Sequence, residues 1–238
     1  MSLPLRPDAS PGTPTYAALR DRLRADILSG KIPAGTRLTT ASLVERFGFS
    51  QMPVREALQA LHGEGLIDIQ PRRGASVLPL DAKRVRNIYD LRAAIEALLV
   101  RLSIPNLTNA ALSQLAQIQQ DFRQAAQRKD IKLLFALNNQ FHDLINRHAD
   151  NPEATLIRDR YASLLTGLRG EYGYSTVRVK QMVDDHDRIL QALRAQDELL
   201  LEKLMYSHVD GAKTDLLDRM AAKARSAIKR NQIMERVA

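Results

Sequence analysis

Ser50-Gln51-Met52-Pro53-Val54-Arg55-Glu56-Ala57-Leu58 is the stretch from which the front of this chain is read. Ser50 has the side-chain oxygen of a helix N-cap. Pro53 falls in a first turn, where no amide is needed. The pattern predicts a helix over 52–62. Upstream, Thr39 or Thr40 can cap a short helix over 41–46 that Gly48 breaks. Further back, Leu19, Leu23, Ile27 and Leu28 make one apolar face of a helix over 16–29, ended by Gly30. Downstream, residues 66–70 and 75–78 read as strands around Pro71-Arg72-Arg73-Gly74, a turn with glycine available for positive φ. Three helices and a β-hairpin wing make a winged helix-turn-helix.

Past Pro79 the grammar changes from short, glycine-broken elements to helical patterns of about twenty residues each. Asp81, Thr108, Asp130, Asn151 and Asp197 are suitable caps for helices over 81–102, 108–128, 130–148, 152–168, 177–195 and from 198 into the tail. Short connections predict an antiparallel all-α bundle of about six helices. The expected fold class is therefore mainly α. Its expected parts are a flexible arm (1–14), a winged helix-turn-helix (15–79), a helical domain (80–218) and a basic helix or tail (219–238).

Composition narrows the chemistry. The 238 residues are 45% apolar and contain no cysteine, which excludes disulfides and thiolate metal sites. A metal here must be held by nitrogen and oxygen. The longest apolar patch, around 93–102, is interrupted by Glu96 and Arg101 and falls short of the roughly 20 residues that span a bilayer. No membrane partner is expected, and the cytoplasm is the expected location. Of the net charge of +8, residues 1–80 carry ten Lys/Arg against seven Asp/Glu, and 219–238 six against one. The neutral middle leaves the two ends to meet a polyanion.

A helix N-terminus presents free amides and partial positive charge to a phosphate while first-turn side chains reach base edges. Ser50, Gln51 and Met52 occupy that turn. Arg55, about one turn on, can bond two guanine acceptors at once. Together with Gly35-Thr36-Arg37-Leu38, Glu64-Gly65-Leu66-Ile67 and Arg72-Arg73-Gly74-Ala75, the quoted stretch resembles the DNA-binding half of the GntR family of regulators over roughly 16–77. The resemblance implies contact with double-stranded DNA from Arg37, Thr40, Ser50, Gln51, Met52, Pro53 and Arg55, and from the wing residues Arg72, Arg73 and Gly74. Relatives often have arginine where Gln51 stands and an acidic residue then arginine where Thr40 and Ala41 stand, so a different operator sequence is expected.

Of five histidines, His142, His186 and His208 fall on three different expected bundle helices. Asn138 lies one turn before His142, on the same helix face. A lone histidine on a helix is most often a core residue. Three neutral imidazoles and an oxygen, however, are a plausible set for a borderline divalent ion. The contexts Asn138-Asn139-Gln140-Phe141-His142, Asp185-His186-Asp187-Arg188-Ile189-Leu190 and Met205-Tyr206-Ser207-His208 resemble the metal motifs of the FCD effector domain in the FadR branch of GntR regulators, over about 85–217. That resemblance implies a divalent metal, zinc first with nickel, manganese or iron as alternatives, and a small organic acid effector. Where Asn138 stands the family usually has aspartate. Arg92 matches the arginine of the first effector-domain helix and is an expected partner for an effector carboxylate, with a structural pair to Glu96 as the alternative.

The combined expectation is a homodimeric, metabolite-responsive transcription regulator, a repressor reading a palindromic operator, and not an enzyme. Two rivals remain at this stage. One is a metal-dependent hydrolase built on the bundle, with Glu171 or Asp185 as general base. The other is a DNA-binding protein indifferent to sequence, suggested by Lys223, Arg225, Lys229 and Arg230 in the tail.

Overall fold

The structure is a computed structural model and describes residues 15–70 and 74–237. The arm over 1–14 and the wing-tip residues Arg72 and Arg73 lie outside the described residues. The chain divides into two compact units. One holds residues up to 80 together with 160–171; the other holds 81–159 and the chain from 172 onward.

In the first unit, α1 (Thr15–Leu28) turns Leu19, Leu23 and Ile27 inward, and Gly30 follows it at φ 76°. Thr39 caps α2 (Thr40–Phe47): its Oγ1 accepts from the Ser42 amide at 3.1 Å, and the Ser42 hydroxyl accepts from the Thr39 amide at 3.4 Å. That reciprocal pair is a capping box. Gly48, left-handed at φ 72°, ends α2 and turns the chain into α3 (Gln51–Gly63). Ser50 occupies the N-cap position of α3 but makes no side-chain bond to it, so the capping expected of Ser50 is absent. The reason lies in the quoted stretch: an N-cap oxygen reaches the second or third amide of the helix, and the third residue is Pro53, which has none.

Three strands rather than a bare hairpin close the unit. β1 (Arg37–Leu38), β2 (Ile67–Gln70) and β3 (Gly74–Val77) form an antiparallel sheet in the order β1-β3-β2, with Ile67 opposite Val77, Gln70 opposite Gly74 and Arg37 opposite Ser76. β1 is two residues long, too short to show an alternating pattern in sequence. Gly74 sits at φ 81°, and a Cβ there would stand 3.3 Å from the Leu38 carbonyl oxygen. Both the backbone angle and the close approach require glycine. Beneath the sheet and helices, Leu43, Val54, Ala57, Leu61, Leu66 and Ile67 are buried.

The second unit contains α4 (Ala82–Ser103), a 3₁₀ turn (Ile104–Asn106), α5 (Asn109–Arg128), α6 (Ile131–Arg147), part of α7 (Pro152–Tyr172), α8 (Thr176–Ala195) and α9 (Glu198–Val237). Side chains of Asp81, Thr108, Asp130, Asn151 and Asp197 each accept from an amide three residues on, at 2.8–3.1 Å. Ser175 does the same for α8 at 3.0 Å. α4 lies along α9, and α5 packs against both α6 and α8. The basic tail continues α9 as helix. No described helix is long and apolar enough to cross a membrane.

Candidate functional site

Within this bundle the polar residues are ordered in rings around three histidines. His142 on α6, His186 on α8 and His208 on α9 are all buried, and one ligand atom from each lies within 4.8 Å of the others. The Nε2 atoms of His142 and His208 are 3.1 Å apart. Two nitrogens held by one tetrahedral metal at 2.0–2.1 Å would be about 3.3 Å apart, so the spacing suits a shared ion.

Each ring is fixed from behind through Nδ1. His142 Nδ1 is 3.1 Å from Glu96 Oε2, His208 Nδ1 is 3.0 Å from Asp185 Oδ2, and His186 Nδ1 is 3.2 Å from Gln119 Oε1. An acceptor at Nδ1 holds the proton there and leaves Nε2 as a lone-pair donor. His186 also stacks on Phe141, ring centroids 4.3 Å apart and 10° from parallel. Burial pushes His186 and His208 well below the usual imidazole range. The neighbouring rings add to this in both, and the Arg178 charge does so at His208. Both rings are therefore neutral at pH 7, the state a metal ligand needs.

The anchors are held in turn. Arg92 Nε donates to Glu96 Oε1. Burial opposes ionisation of Glu96, but Arg92, His142 and Arg158 prevail and hold its carboxyl well below the usual carboxylate range. Arg178, itself buried, donates from Nη1 to Asp185 at 3.1 Å and from Nη2 to the His208 carbonyl at 2.7 Å. Gly211, one turn beyond His208, makes room: a Cβ there would stand 2.7 Å from Arg178 Nη1. The Gln119 amide donates at 2.9 Å to both the Val183 carbonyl and Asp187 Oδ1.

Two buried atoms of the expected ligand set, His186 Nε2 and Asn138 Oδ1, have no hydrogen-bond partner. A buried polar atom left unpaired costs about 1–3 kcal/mol, so two of them on the proposed ligands fit a site shaped for a cation. The residues present thus suit a nitrogen and oxygen donor set.

The sequence singled out the three histidines and Asn138, which share this region, and Arg92, which stands behind Glu96. It did not foresee Gln119, Arg178 or the backing role of Asp185. Signals existed: Glu96 is a carboxylate in an apolar run, and Gly211 is a glycine inside a helix. His148 and His62 lie apart, each with Nδ1 near a backbone carbonyl, Leu144 at 2.8 Å and Ile67 at 3.1 Å.

In the first unit, α3 presents Gln51, Met52 and Arg55 outward. Met52 is 65% exposed, while Val54, Ala57 and Leu58 face the core. No hydrogen bond or ion pair restrains Arg55 among the described residues, including to Glu56 or Glu45. Thr40 opens α2, half-buried. Arg37 is exposed on β1, its Nε 3.8 Å from the Cβ position at Gly74, which places it beside the wing.

An outward helix after a tight turn, with a wing beside it and a second compact helical unit on the same chain, defines a class, the DNA-binding transcription regulators. Comparison with known proteins agrees. Residues 15–77 match the bacterial regulatory proteins of the gntR family, and residues 87–211 match the FCD domain. The HTH-type transcriptional repressor RspR of Escherichia coli (strain K12) is 32% identical over 210 residues, 84% of this chain and 88% of that protein. The gluconate operon transcriptional repressor of Bacillus subtilis (strain 168) is 25% identical over 201 residues, 82% of each. Among solved structures, E. coli McbR/YncC has the same fold, with a TM-score of 0.65 at 22% identity over 86% of this chain and 98% of that one. The chain belongs to the GntR family and carries an FCD domain: it is a transcription regulator, not an enzyme. Of the two residues weighed as a general base, Asp185 is engaged by Arg178 and His208.

Proposed function

We propose that this chain is a metabolite-responsive repressor acting in the cytoplasm as a homodimer, with residues 15–79 reading a palindromic operator and residues 80–218 sensing a small organic acid. Gln51, Met52 and Arg55 face base edges from α3, the free amides of its first turn meet a phosphate beside Ser50 and Pro53, and Arg37, Thr40 and the wing around Arg72, Arg73 and Gly74 meet the flanking backbone. His142, His186 and His208, with Asn138, hold a divalent metal, zinc first and nickel, manganese or iron as alternatives. When bound, that ion supplies a Lewis-acidic centre that an acid effector can bond.

The single observation that carries the metal reading is the convergence of three buried imidazoles, one ligand atom of each within 4.8 Å of the others, with His186 Nε2 left without a hydrogen-bond partner. The reading of the effector follows from charge. Four neutral donors leave a dication uncompensated by any direct anionic ligand. Glu96 and Asp185 lie one step back, already balanced by Arg92 and Arg178. A carboxylate is the natural complement, and Arg92 is the cation placed to share it with Glu96. Elemental analysis of the purified protein, followed by calorimetric titration of an organic-acid library into metal-loaded and metal-stripped samples, tests the proposal. At least one acid of the library is expected to bind the loaded protein only, and a library with no metal-dependent binder refutes the metal role.

A further inference from the structure

A second concavity lies in the bundle, away from the histidines. It is a groove of about 540 Å³ between α5, α6 and α8, open to solvent and lined by none of the three histidines. Its volume is in the ordinary range of small-molecule sites, about 300–1,000 Å³. Ile131, Leu134, Val179 and Val183 give it an apolar floor, and Tyr174, stacked on Phe135 with ring centroids 4.8 Å apart, forms one wall. The rim carries Arg123, Lys129 and Lys180 beside Asp184, with Arg123 also paired to Asp187. Neither lysine has an ion pair among the described residues.

Arg123 is the informative member. Its Nη2 is 2.7 Å from both oxygens of Asp187, while its Nη1 and Nε have no hydrogen bond among the described residues. Asp187 Oδ1 accepts from Gln119, and the Gln119 carbonyl oxygen meets His186 Nδ1. The rim of the groove is therefore joined to the histidine cluster through three polar contacts in series. From this geometry we infer that the groove is a second ligand site, for an amphipathic carboxylate whose apolar body lies on the valine and leucine floor and whose anionic end bonds Arg123, Lys129 and Lys180. Occupancy draws on the guanidinium that orients Asp187, and so is felt at His186. That last link rests on the metal reading; binding in the groove does not.

The test uses the full-length chain with 1-anilinonaphthalene-8-sulfonate, a fluorescent amphipathic anion, displaced by 4-phenylbutyrate. Saturable binding of one probe per chain, displaced by 4-phenylbutyrate, is expected in both zinc-loaded and EDTA-stripped protein, with affinities that differ at least threefold between the two. The double variant Lys129→Glu/Lys180→Glu, on exposed side chains, is expected to bind tenfold or more weakly with Tm unchanged. Undiminished binding in that variant, or binding that vanishes with the metal, overturns the second site. Linkage is reciprocal, so saturating 4-phenylbutyrate is expected to shift zinc affinity at least threefold in a chelator competition. An unchanged zinc affinity with the groove filled overturns the link to His186.

Discussion

Acidification of the metal-free protein is where the buried cluster shows itself most directly. His186 and His208 have folded-state pKa values well below their unfolded value, principally through burial. Their contribution to stability is whole above the unfolded pKa, about 6.5, and falls as pH drops beneath it, because the unfolded chain takes up protons that the folded chain refuses. Two such groups give a limiting slope of roughly 3 kcal/mol per pH unit, so acidification from pH 7 to 5.5 costs on the order of 2–3 kcal/mol. Glu96 is also shifted down, because Arg92 and His142 favour its charged form, and its loss begins only as pH falls below the unfolded carboxylate value of about 4.3. Between pH 7 and 5.5 the histidine loss dominates. Urea unfolding of EDTA-treated protein, followed by circular dichroism at pH 7.0, 6.5, 6.0 and 5.5, measures the slope. The variant His186→Phe retains a ring against Phe141 and removes one proton site. It is expected to cancel about half of the histidine loss relative to wild type, on the order of 1 kcal/mol over the same interval. A pH dependence identical in wild type and variant would refute the claim that the cluster is held neutral by burial.

Three further outcomes are expected. Arg55→Ala removes the one described arginine of α3 that points outward, and should weaken specific operator binding about 5- to 150-fold, the equivalent of 1–3 kcal/mol, with Tm unchanged; a gel shift against nonspecific competitor reads it, and equal loss on both DNAs contradicts base recognition. Asn138→Asp adds an anionic oxygen to a neutral donor set and should tighten zinc at least tenfold in a chelator competition; an unchanged affinity removes Asn138 from the ligands. Gln119→Leu deletes the acceptor behind His186 and should weaken zinc about 10- to 100-fold while leaving operator binding by metal-stripped protein unaltered.

How much of this was legible in the sequence depends on whether a residue announces itself locally. The caps at Asp81, Thr108 and Asp130 did, because an N-cap acts within three residues. The outward face of α3 did too, since Pro53 and the buried Val54 and Ala57 set its phase. Ser50 misled because its capping oxygen and the missing Pro53 amide were read separately, although they act on one another. β1 was illegible: two residues become a strand only through β3, which lies nearly forty positions away. Gln119 was illegible for the same reason, since its partners His186, Val183 and Asp187 lie 64 to 68 positions on. The histidines were legible through their contexts; what orients them was not.

Those orienting groups explain how the cluster can be buried without a metal. His142 and His208 each have a carboxylate at Nδ1, and each carboxylate has an arginine behind it: Glu96 with Arg92, Asp185 with Arg178. His186 instead has the neutral Gln119. The arrangement holds each ring in place yet adds no net charge to the interior. An uncompensated carboxylate at either place would draw a proton onto its ring or rise in pKa itself. Because each charge is cancelled within its own pair, the empty site costs little in desolvated charge, while a bound dication introduces the only uncancelled charge in the bundle core. On the proposed reading that imbalance would make an anionic effector bind the loaded state more tightly than the empty one, and differential binding of this kind is the requirement for any ligand to shift a regulator between two states.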